Sequence, residues 1–350
     1  MNLEERIEQR INQGLLGHWY VVAKSADLKA GTPLGVTRLG RKLVLWRDAQ
    51  GKAHCVEDQC PHRGAPLSRG LVMDGQLTCR YHGVVVDGTG RIARVPAMPD
   101  CPLEGRKAID AFEVREVADG VFAYFPSVER PEPHGFDPPP ELTGDDYTSF
   151  LCTATWQANY RYAVDNLADP MHGCYLHADT FTLAYGTKQD LMKVERIEDG
   201  VFVSRIGQTG QNFDYVHGHI DRPLPFFRVD IPYPIAAGPG GLLRIIACST
   251  PIDERNTQIF FWRCRQVSGL ERETWRFMFR AVFEPRHWHV LEQDREMVSA
   301  MPDDARKREM LYQHDVGVGA VRRLLAQRAR AQVEAEIAAE NGATAAVAAN

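Results

Sequence analysis

Two closely spaced pairs of cysteine and histidine constrain this chain more than any other feature of its sequence. Cys60 and His62 form the first pair, Cys79 and His82 form the second, and sixteen residues separate them. Glycine and proline, which favour turns, flank the pairs in CPHRGAPLSRG and CRYHG. Thiolates and imidazoles are ligands of zinc and of iron. The sequence therefore predicts a metal centre held between two loops.

Two kinds of metal centre fit this set of residues. Structural zinc sites usually pair cysteine with cysteine and histidine with histidine, whereas each loop here mixes the two. A [2Fe-2S] cluster of Rieske type places two thiolates on one iron and two imidazoles on the other. Two mixed loops supply that split directly, so we favour the cluster. Zinc and a chance grouping of core residues stay as alternatives.

The pattern of apolar residues divides the 350-residue chain into two domains. Residues 17–125 alternate between apolar and polar with frequent turn signals, which predicts a small all-β domain. Residues 126–146 include PSVERPEPHGFDPPP, with six prolines, and are predicted to be a linker. Within residues 147–335, the stretch 149–177 opens as a strand and turns helical, and residues 190–283 read mainly as strands, including TWRFMFRAVF (274–283). Helices dominate from Arg286, which predicts an α+β domain with an antiparallel sheet covered by helices. Residues 336–350 are rich in alanine and predicted to be a disordered tail.

Charge and hydropathy exclude several classes of protein. The formal net charge is -5 without long runs of like charge, so we expect neither nucleic acid nor an anionic membrane as partner. The N-terminal MNLEERIEQRINQGL is charged and periodic, unlike a signal peptide, and no apolar run reaches the roughly 18 residues of a membrane span. We therefore expect a cytoplasmic protein with reduced cysteines. The cysteines without metal spacing are predicted to be buried thiols: Cys55, Cys101, Cys152, Cys174, Cys248 and Cys264.

A second candidate metal site lies in DNLADPMHGCYLH, which spans residues 165–177. His172 and His177 are five residues apart, a spacing that does not place them on one face of a regular helix. Pro170 lacks the N–H that would bond back to Asn166, so we predict a break in the helix between residues 168 and 176. Such a break can bring the two imidazoles together. An iron that activates O2 is typically held by two histidines and one carboxylate.

Asp294 is the best candidate for the carboxylate. In the predicted helix 286–301 it lies in the middle of an apolar face, whereas Glu292 and Glu296 point away. A carboxylate among apolar neighbours is costly unless it is paired or bound to metal. The alternative is an ion pair with a buried Arg322 or Arg323. The apolar face is predicted to consist of His287, Val290, Leu291, Met297, Val298 and Met301.

The motifs CPHRGAPLSRG, CRYHG and DNLADPMH resemble those of the Rieske non-heme iron ring-hydroxylating oxygenases, large subunit. Val84 follows YHG where many members have tryptophan, and the short chain is most similar to the vanillate demethylase and phthalate dioxygenase branches. The resemblance implies that Cys60, His62, Cys79 and His82 hold the [2Fe-2S] cluster, and that His172, His177 and Asp294 hold Fe2+. It further implies supporting roles for Arg63, Tyr81, Asp165 and Asn166.

The resemblance also implies an assembly and an activity. Asp169 would join His172 to His82 of the partner subunit in a homotrimer; its alternative is a helix-capping or solvated acid. The implied enzyme is a terminal oxygenase that uses O2 to hydroxylate, dihydroxylate or O/N-demethylate a small aromatic, carboxylated substrate. The sequence has neither a nicotinamide-binding glycine motif nor a ferredoxin cysteine run, so a separate NAD(P)H-dependent reductase, with or without a ferredoxin, would supply electrons.

Three further points stay open in the sequence. A Rieske electron-transfer protein without oxygenase activity is the alternative function. Arg205, Arg222 and Arg228 are candidates to pair a substrate carboxylate. An aromatic pocket or plain core is the expected place of Trp156, Asn159, Phe181, Phe213 and Phe226.

Overall fold

Contacts divide the protein into two compact units. The structure, a computed structural model, describes residues 1–180, 183, 191–206, 215–232 and 241–348. One unit is Trp19–Pro126, and the other joins Met1–His18 to Ser127–Asn350, so the first is an insertion in the sequence of the second. None of the described helices is long and apolar enough to cross a membrane.

The inserted unit consists of three small sheets. Its strands are β1 (His18–Lys24), β2 (Leu34–Arg38), β3 (Arg41–Arg47), β4 (Ala53–Glu57), β5 (Leu71–Met73), β6 (Gln76–Thr78), β7 (Val85–Val86), β8 (Ile92–Arg94), β9 (Ala111–Phe112), β10 (Val114–Val117) and β11 (Gly120–Phe125). The sheet orders are β1-β11-β10, β2-β3-β4-β9 and β5-β6-β7-β8. Asp48 closes the β3–β4 turn, because its Oδ1 accepts hydrogen bonds from the Gln50 and Lys52 amides at 2.9 Å. The predicted small all-β domain is confirmed.

A core of buried aliphatic and aromatic side chains lies beneath the two cysteine–histidine loops. Val44, Trp46 and Leu77 belong to this core and are fully buried. Cys60 and Cys79 belong to the same cluster, each with 2% exposure. Burial of apolar surface therefore fixes the base of both loops.

The second unit is built on a seven-stranded antiparallel sheet with the order β12-β18-β17-β16-β15-β14-β13. Its strands are β12 (Tyr147–Trp156), β13 (Met192–Ile197), β14 (Gly200–Arg205), β15 (Tyr215–His219), β16 (Phe226–Pro232), β17 (Leu242–Pro251) and β18 (Thr257–Gln266). Its helices are α1 (Leu3–Gln13), α2 (Pro140–Thr143), α3 (Tyr160–Ala168), α4 (Gly173–Leu176), α5 (Gly269–Met278), α6 (Glu284–Ser299) and α7 (Val316–Ala348). The predicted α+β domain, an antiparallel sheet with helices, is confirmed.

Helices pack on one face of this sheet and form the main core with it. Helix α3 contacts β15, β17 and β18, and it also contacts α6 and α7. Trp156, Val203 and Val216 of the sheet are fully buried in this core, together with Val321 and Ala329 of α7. The face that α3 and α6 cover is the face that carries the second candidate site.

The prediction of a strand over residues 274–283 is wrong. These residues belong to α5 and to a π-helical turn, Phe279–Phe283, that leads directly into α6. Trp275, Phe279 and Phe283 are all buried. Their spacing of four places them on one side of a helix. Aromatic residues favour strands by propensity, but the apolar period decides the element here.

Residues 336–348, which were predicted to belong to a disordered tail, are helical, because α7 continues to Ala348. Arg6 of α1 donates two hydrogen bonds to Glu340, at 2.9 and 2.8 Å, and Arg10 donates one to Glu336 at 2.7 Å. These ion pairs and the packing of α1 on α7 keep the segment helical. The region 126–146, expected to be a linker, contains α2, in which Glu141 and Leu142 are buried.

Candidate metal centres and an apolar pocket

The two cysteine–histidine loops share one backbone geometry. In each loop the cysteine amide donates to a carbonyl five residues on, and a glycine amide donates back to the cysteine carbonyl. The bonds are Cys60 N–H to Ala65 O at 2.8 Å and Gly64 N–H to Cys60 O at 2.9 Å, then Cys79 N–H to Val84 O at 2.8 Å and Gly83 N–H to Cys79 O at 2.9 Å. Gly64 and Gly83 have φ of 76° and 74°, in the left-handed region that favours glycine. The loops are therefore two copies of one turn.

The four expected cluster ligands lie together at the tips of these loops. The rings of His62 and His82 are 4.6 Å apart between centroids and are exposed, whereas Cys60 and Cys79 are buried. Backbone amides of His62 and Arg63 donate to the Cys60 sulfur, which also contacts the Cys79 thiol. This arrangement has two sulfurs inside and two imidazoles outside, which is the donor set that a Rieske cluster needs.

Electrostatics at Cys60 also fit a cationic metal centre. Burial raises the pKa of the Cys60 thiol to about 11, and the neighbouring Cys79 adds to the rise. The Cys60 sulfur is therefore a protonated thiol near neutral pH unless a metal supplies positive charge. Arg63 lies 5.8 Å from the Tyr81 ring centroid, and the Tyr81 ring is tilted by 42° against the His82 ring, with 3.9 Å between the centroids. Arg63 and Tyr81 thus surround the imidazoles from the solvent side.

The predicted break in the helix at Pro170 is confirmed. Helix α3 ends at Ala168 and the short helix α4 begins at Gly173, with Asp169 in an extended conformation between them. The Asp169 carboxylate accepts the Met171 amide at 2.7 Å, which stabilises this turn. The break brings the rings of His172 and His177 to 5.4 Å between centroids, although they are five residues apart.

His172, His177 and Asp294 form one compact group. One ligand atom from each lies within 4.8 Å of the others. Asp294 Oδ1 is 3.5 Å from His172 Nε2 and 3.3 Å from His177 Nε2. Asp294 lies on the buried side of α6 beside Leu291 and Val298, as expected, whereas Met297 is 51% exposed and does not belong to the predicted apolar face. Met301, 43% exposed, is outside that face as well.

Hydrogen bonds at Nδ1 set the tautomer of both histidines. His172 Nδ1 lies 2.7 Å from the Asp169 carbonyl, which can only accept, so Nδ1 carries the proton. His177 Nδ1 lies 2.9 Å from Gln293 Oε1. The Gln293 amide is oriented by Asp179, whose carboxylate accepts its Nε2–H at 3.0 Å. Both Nε2 atoms are therefore available to a metal, as in histidine ligands whose other nitrogen is hydrogen-bonded.

Asp294 is held by a neighbouring amide and is strongly acidic. Asn166 Nδ2 donates to Asp294 Oδ1 at 3.1 Å. Burial alone would raise the pKa of Asp294, but hydrogen bonds with His172 and His177 outweigh it and hold the pKa well below the usual range. Burial likewise opposes protonation of His172, but the carboxylates of Asp169 and Asp294 raise its pKa to about 10. A proton thus occupies this anionic site when a metal does not, and metal binding releases it.

Asp165 does not join this group. Its carboxylate pairs with Arg306 at 2.6 Å and with Arg322 at 2.7 Å, and these pairs tie α3 to the C-terminal segment. Arg322, named from the sequence as the alternative partner of Asp294, therefore pairs with Asp165 instead. Asp169 lies at the edge of the group, with its Oδ2 3.6 Å from His172 Nδ1.

Gln293 and Asp179 were missed by the sequence analysis. Gln293 contacts His177, and Asp179 contacts both Gln293 and His289 of α6. The spacing of four between His289 and Gln293 places both side chains over Asp179. Gln293 directly precedes Asp294 in the sequence, which was the only local signal of its role.

An apolar pocket opens onto the three-residue group. Its polar lining is Asn166, His172, His177, Asp294, Arg263 and His287, and its apolar lining is Leu167, Leu183, Val229, Ile231, Leu243, Ile245, Phe261, Val290 and Leu291. Pockets with mostly apolar walls and a few convergent polar groups are typical of small-molecule sites. Trp156 and Phe226 are buried outside this lining, Asn159 caps α3, and Phe181 and Phe213 lie outside the described residues.

Two families match the chain in succession. The family described as Rieske [2Fe-2S] domain matches residues 18–113. The family described as Vanillate O-demethylase oxygenase C-terminal domain matches residues 156–331. The first match contains both cysteine–histidine loops, and the second contains His172, His177 and Asp294.

The chain is similar in sequence to several curated oxygenases. The chain is 34% identical to the 4beta-methylsterol monooxygenase of Methylococcus capsulatus over 271 residues, which cover 70% of this chain and 67% of that protein. It is 34% identical over 168 residues to the vanillate O-demethylase oxygenase subunit of Pseudomonas sp., covering 46% of this chain and 45% of that protein. The chain spans less than half the length of several of the curated relatives that it matches.

Solved structures have the same fold over nearly the whole chain. The terminal oxygenase of carbazole 1,9a-dioxygenase from Nocardioides aromaticivorans superposes with a TM-score of 0.78 at 23% identity, covering 94% of this chain and 98% of that one. The two family matches and the identity to the sterol monooxygenase place the sequence in one group, the oxygenases that contain a Rieske domain. The Rieske domain of that group binds a [2Fe-2S] cluster. The chain belongs to the Rieske non-heme iron oxygenases.

Proposed function

We propose that this chain is the terminal oxygenase of a multicomponent system that hydroxylates, dihydroxylates or O/N-demethylates a small aromatic compound. One observation carries the proposal: two imidazoles and one carboxylate converge at the mouth of an apolar pocket. A Rieske protein that only transfers electrons has no use for a second metal site or for a pocket beside it. The electron-carrier alternative is therefore not favoured.

The residues of the group fit Fe2+. Each histidine presents Nε2 because Nδ1 is bonded elsewhere, and Asp294 is kept ionised at that position. Fe2+ bound there would activate O2 next to the substrate. Asn166 orients the carboxylate, Gln293 orients His177, and the apolar walls bind the substrate and keep bulk water out.

The pocket walls support an apolar substrate. Aliphatic side chains of β16 and β17, with Phe261 of β18, form one wall, and Val290 and Leu291 of α6 form the other. The arginines named from the sequence as carboxylate partners do not line the described pocket. Arg222 pairs with Asp137, Arg228 lies 3.3 Å from Asp230, and Arg205 lies 3.4 Å from the Cys174 sulfur. Arg263 of β18 lines the pocket instead.

Electrons come from other proteins in this proposal. A separate NAD(P)H-dependent reductase, with or without a ferredoxin, would reduce the cluster held by Cys60, Cys79, His62 and His82. The exposed edge of His62 and His82, with Tyr81 61% exposed beside them, is suited to approach by another protein. A cytoplasmic location stays a prediction of the sequence.

A trimer is the proposed assembly, with Asp169 linking His172 to His82 of the partner subunit. The partly exposed Asp169 carboxylate, 3.6 Å from His172 Nδ1, supports this role. Coexpression of a His82→Ala chain with a His172→Ala chain tests it, because mixed trimers would regain sites that combine an intact cluster with an intact iron group. Activity that stays absent in the mixture, with trimers formed, would contradict the proposal.

Metal content tests the oxygenase proposal before any substrate is known. We expect about three irons and two acid-labile sulfides per chain in the wild type after anaerobic loading with Fe2+, and about two and two in His172→Ala. His217→Ala, a change in β15 outside the described pocket lining, is the control and should keep three irons. Two irons and two sulfides in the wild type would instead identify an electron carrier.

A further inference from the structure

Arg263 is a single cation in an otherwise apolar row of the large sheet. Strand pairing aligns it with Phe150 of β12 and Ile245 of β17. The row continues through Val229, Val216, Val203 and Val194. Residues that are directly opposed across strands point to the same face, so Arg263 projects into the helix-covered core. It is 3% exposed and lines the apolar pocket.

Among the described residues no carboxylate forms an ion pair with the Arg263 guanidinium, although Glu284 acts on its charge from farther away. Its Nη2 donates to the His287 carbonyl at 3.2 Å, it hydrogen-bonds the Cys152 thiol, and it lies 6.0 Å from the Trp288 ring centroid. Nη1 is buried and has no hydrogen-bond partner within the part of the chain that the structure describes. A buried charge that is unpaired is costly, and burial accordingly lowers the pKa of Arg263.

His287 adds a second unsatisfied polar atom to the same wall. Its Nδ1 is buried and has no hydrogen-bond partner in the described part of the chain. Burial, with a smaller contribution from the charge of Arg263, lowers the pKa of His287 to about 3, so the ring is neutral. A neutral imidazole can donate one N–H. Arg263 and His287 together therefore offer two donors and one positive charge to the pocket.

This pair lies at a defined distance from the iron ligands. His287 and Asp294 are seven residues apart on α6, which is two turns along one face and about 10 Å along the helix axis. Val290 and Leu291, between them, line the pocket. The pocket therefore has a metal-binding end and a cationic end, with apolar walls between.

We infer that Arg263 and His287 bind the carboxylate of the substrate, whose apolar body fills the pocket and presents its far end to His172, His177 and Asp294. A carboxylate supplies the negative charge that the buried guanidinium lacks and accepts from both Nη1 and Nδ1. A neutral acceptor would satisfy the hydrogen bonds but leave the charge unpaired. The inference rests on the proposed oxygenase function and narrows its substrate to an apolar acid whose acid group and reacting carbon are at opposite ends.

Binding without turnover tests this inference. Isothermal titration calorimetry on the cluster- and iron-loaded protein, without reductant, would compare 4-methoxybenzoate, 4-methylbenzoate and 3-phenylpropanoate with their methyl esters. We expect the acids to bind the wild type at least tenfold more tightly than the esters, and Arg263→Met to abolish the difference. His287→Ala should reduce the preference in part. Arg286→Gln, an exposed neighbour on α6, is the matched control and should keep the wild-type preference.

The melting temperature of Arg263→Met is the check on its folding. The substitution removes an unpaired buried charge, so the melting temperature should not fall below that of the wild type. Equal affinity for acids and esters, failure of every acid to bind, or an unchanged preference in Arg263→Met would overturn the inference. Each of these results leaves the iron content, and thus the oxygenase proposal, untouched. Conversely, a wild-type protein with only two irons per chain would refute the proposed oxygenase function. The preference for acids over esters would still be measured by the same titrations.

Discussion

Replacement of Gln293 by leucine should weaken the iron site without touching an iron ligand. The Gln293 Oε1 accepts the Nδ1–H of His177 at 2.9 Å, and His177 is 1% exposed. Leucine fills a similar volume but leaves this N–H unpaired inside the protein. The other end of Gln293 contacts Asp179, whose side chain is 60% exposed, so water replaces that bond at little cost. The effect is therefore concentrated on His177.

The size of the effect follows from the lost hydrogen bond. Leaving one buried donor unsatisfied costs about 1–3 kcal/mol. Because about 1.4 kcal/mol corresponds to a factor of ten, the Kd for a divalent metal should rise by roughly five- to 150-fold. Loss of a group that orients a metal-bound histidine typically costs about 10–100-fold in affinity, which falls within this range.

Chelator competition measures this Kd. Co2+ or anaerobic Fe2+ would be titrated into protein that retains its [2Fe-2S] cluster, with sulfide content as the check on the cluster. Glu292→Gln is the matched control, because Glu292 is the adjacent residue, is exposed, and pairs only with Arg295 among the described residues. A Kd for Gln293→Leu within twofold of the wild type would show that the tautomer of His177 is not set by Gln293.

Three other perturbations have expected outcomes. Burial lowers the pKa of His18 to about 3, so below pH 6.5 the unfolded chain, with a histidine pKa near 6.5, binds a proton that the folded protein does not. The contribution of His18 to stability is therefore complete above pH 6.5 and is lost as the pH falls toward 3, by up to about 1.4 kcal/mol per pH unit. The free energy of unfolding of His18→Asn, measured in urea, should lack this dependence on pH. Asp165→Asn removes the carboxylate that Arg306 and Arg322 share, leaving Arg322 with Glu309, and should lower the free energy of unfolding by about 3–5 kcal/mol. Asp304→Asn, in an exposed pair, should change it by less than about 1 kcal/mol, and equal urea midpoints would refute the difference. Cys79→Ser should lose the cluster and its visible absorption but keep about one iron per chain, and retained sulfide would contradict the assignment of Cys79.

Sequence patterns pointed to the proposed metal ligands because their signals are local. The mixed pairs Cys60/His62 and Cys79/His82 are each contained in one turn, and Pro170 explains how His172 and His177 meet. Asp294 was identified from a helical period in which a carboxylate falls among apolar residues. Each of these signals lies within fewer than about twenty consecutive residues, and over that range the spacing of residues alone determines which side chains lie close together.

Residues whose role depends on tertiary contacts were not found in this way. Gln293 is one of several polar residues on α6 until the fold places it against His177. Arg263 was overlooked, although a charged residue within the apolar run IFFWRC was a visible signal. The helix at Trp275–Phe283 was predicted as a strand because aromatic residues favour strands. The last part of the C-terminal helix, from residue 336, was predicted as a tail because its partner, α1, is more than 300 residues away in sequence.

The pairing of α1 with α7 has a consequence for the synthesis of this protein. Arg6 and Glu340, which bond in the folded protein, are 334 residues apart, and the Trp19–Pro126 unit is made between them. Domains fold as units as they leave the ribosome, so the inserted unit can be complete while α1 still lacks its cover. During that interval Ile7 and Ile11, buried in the finished protein, face water or a chaperone. Premature termination anywhere before α7 would therefore leave the apolar face of α1 exposed, and chaperones and proteases of cellular quality control recognise exposed apolar segments.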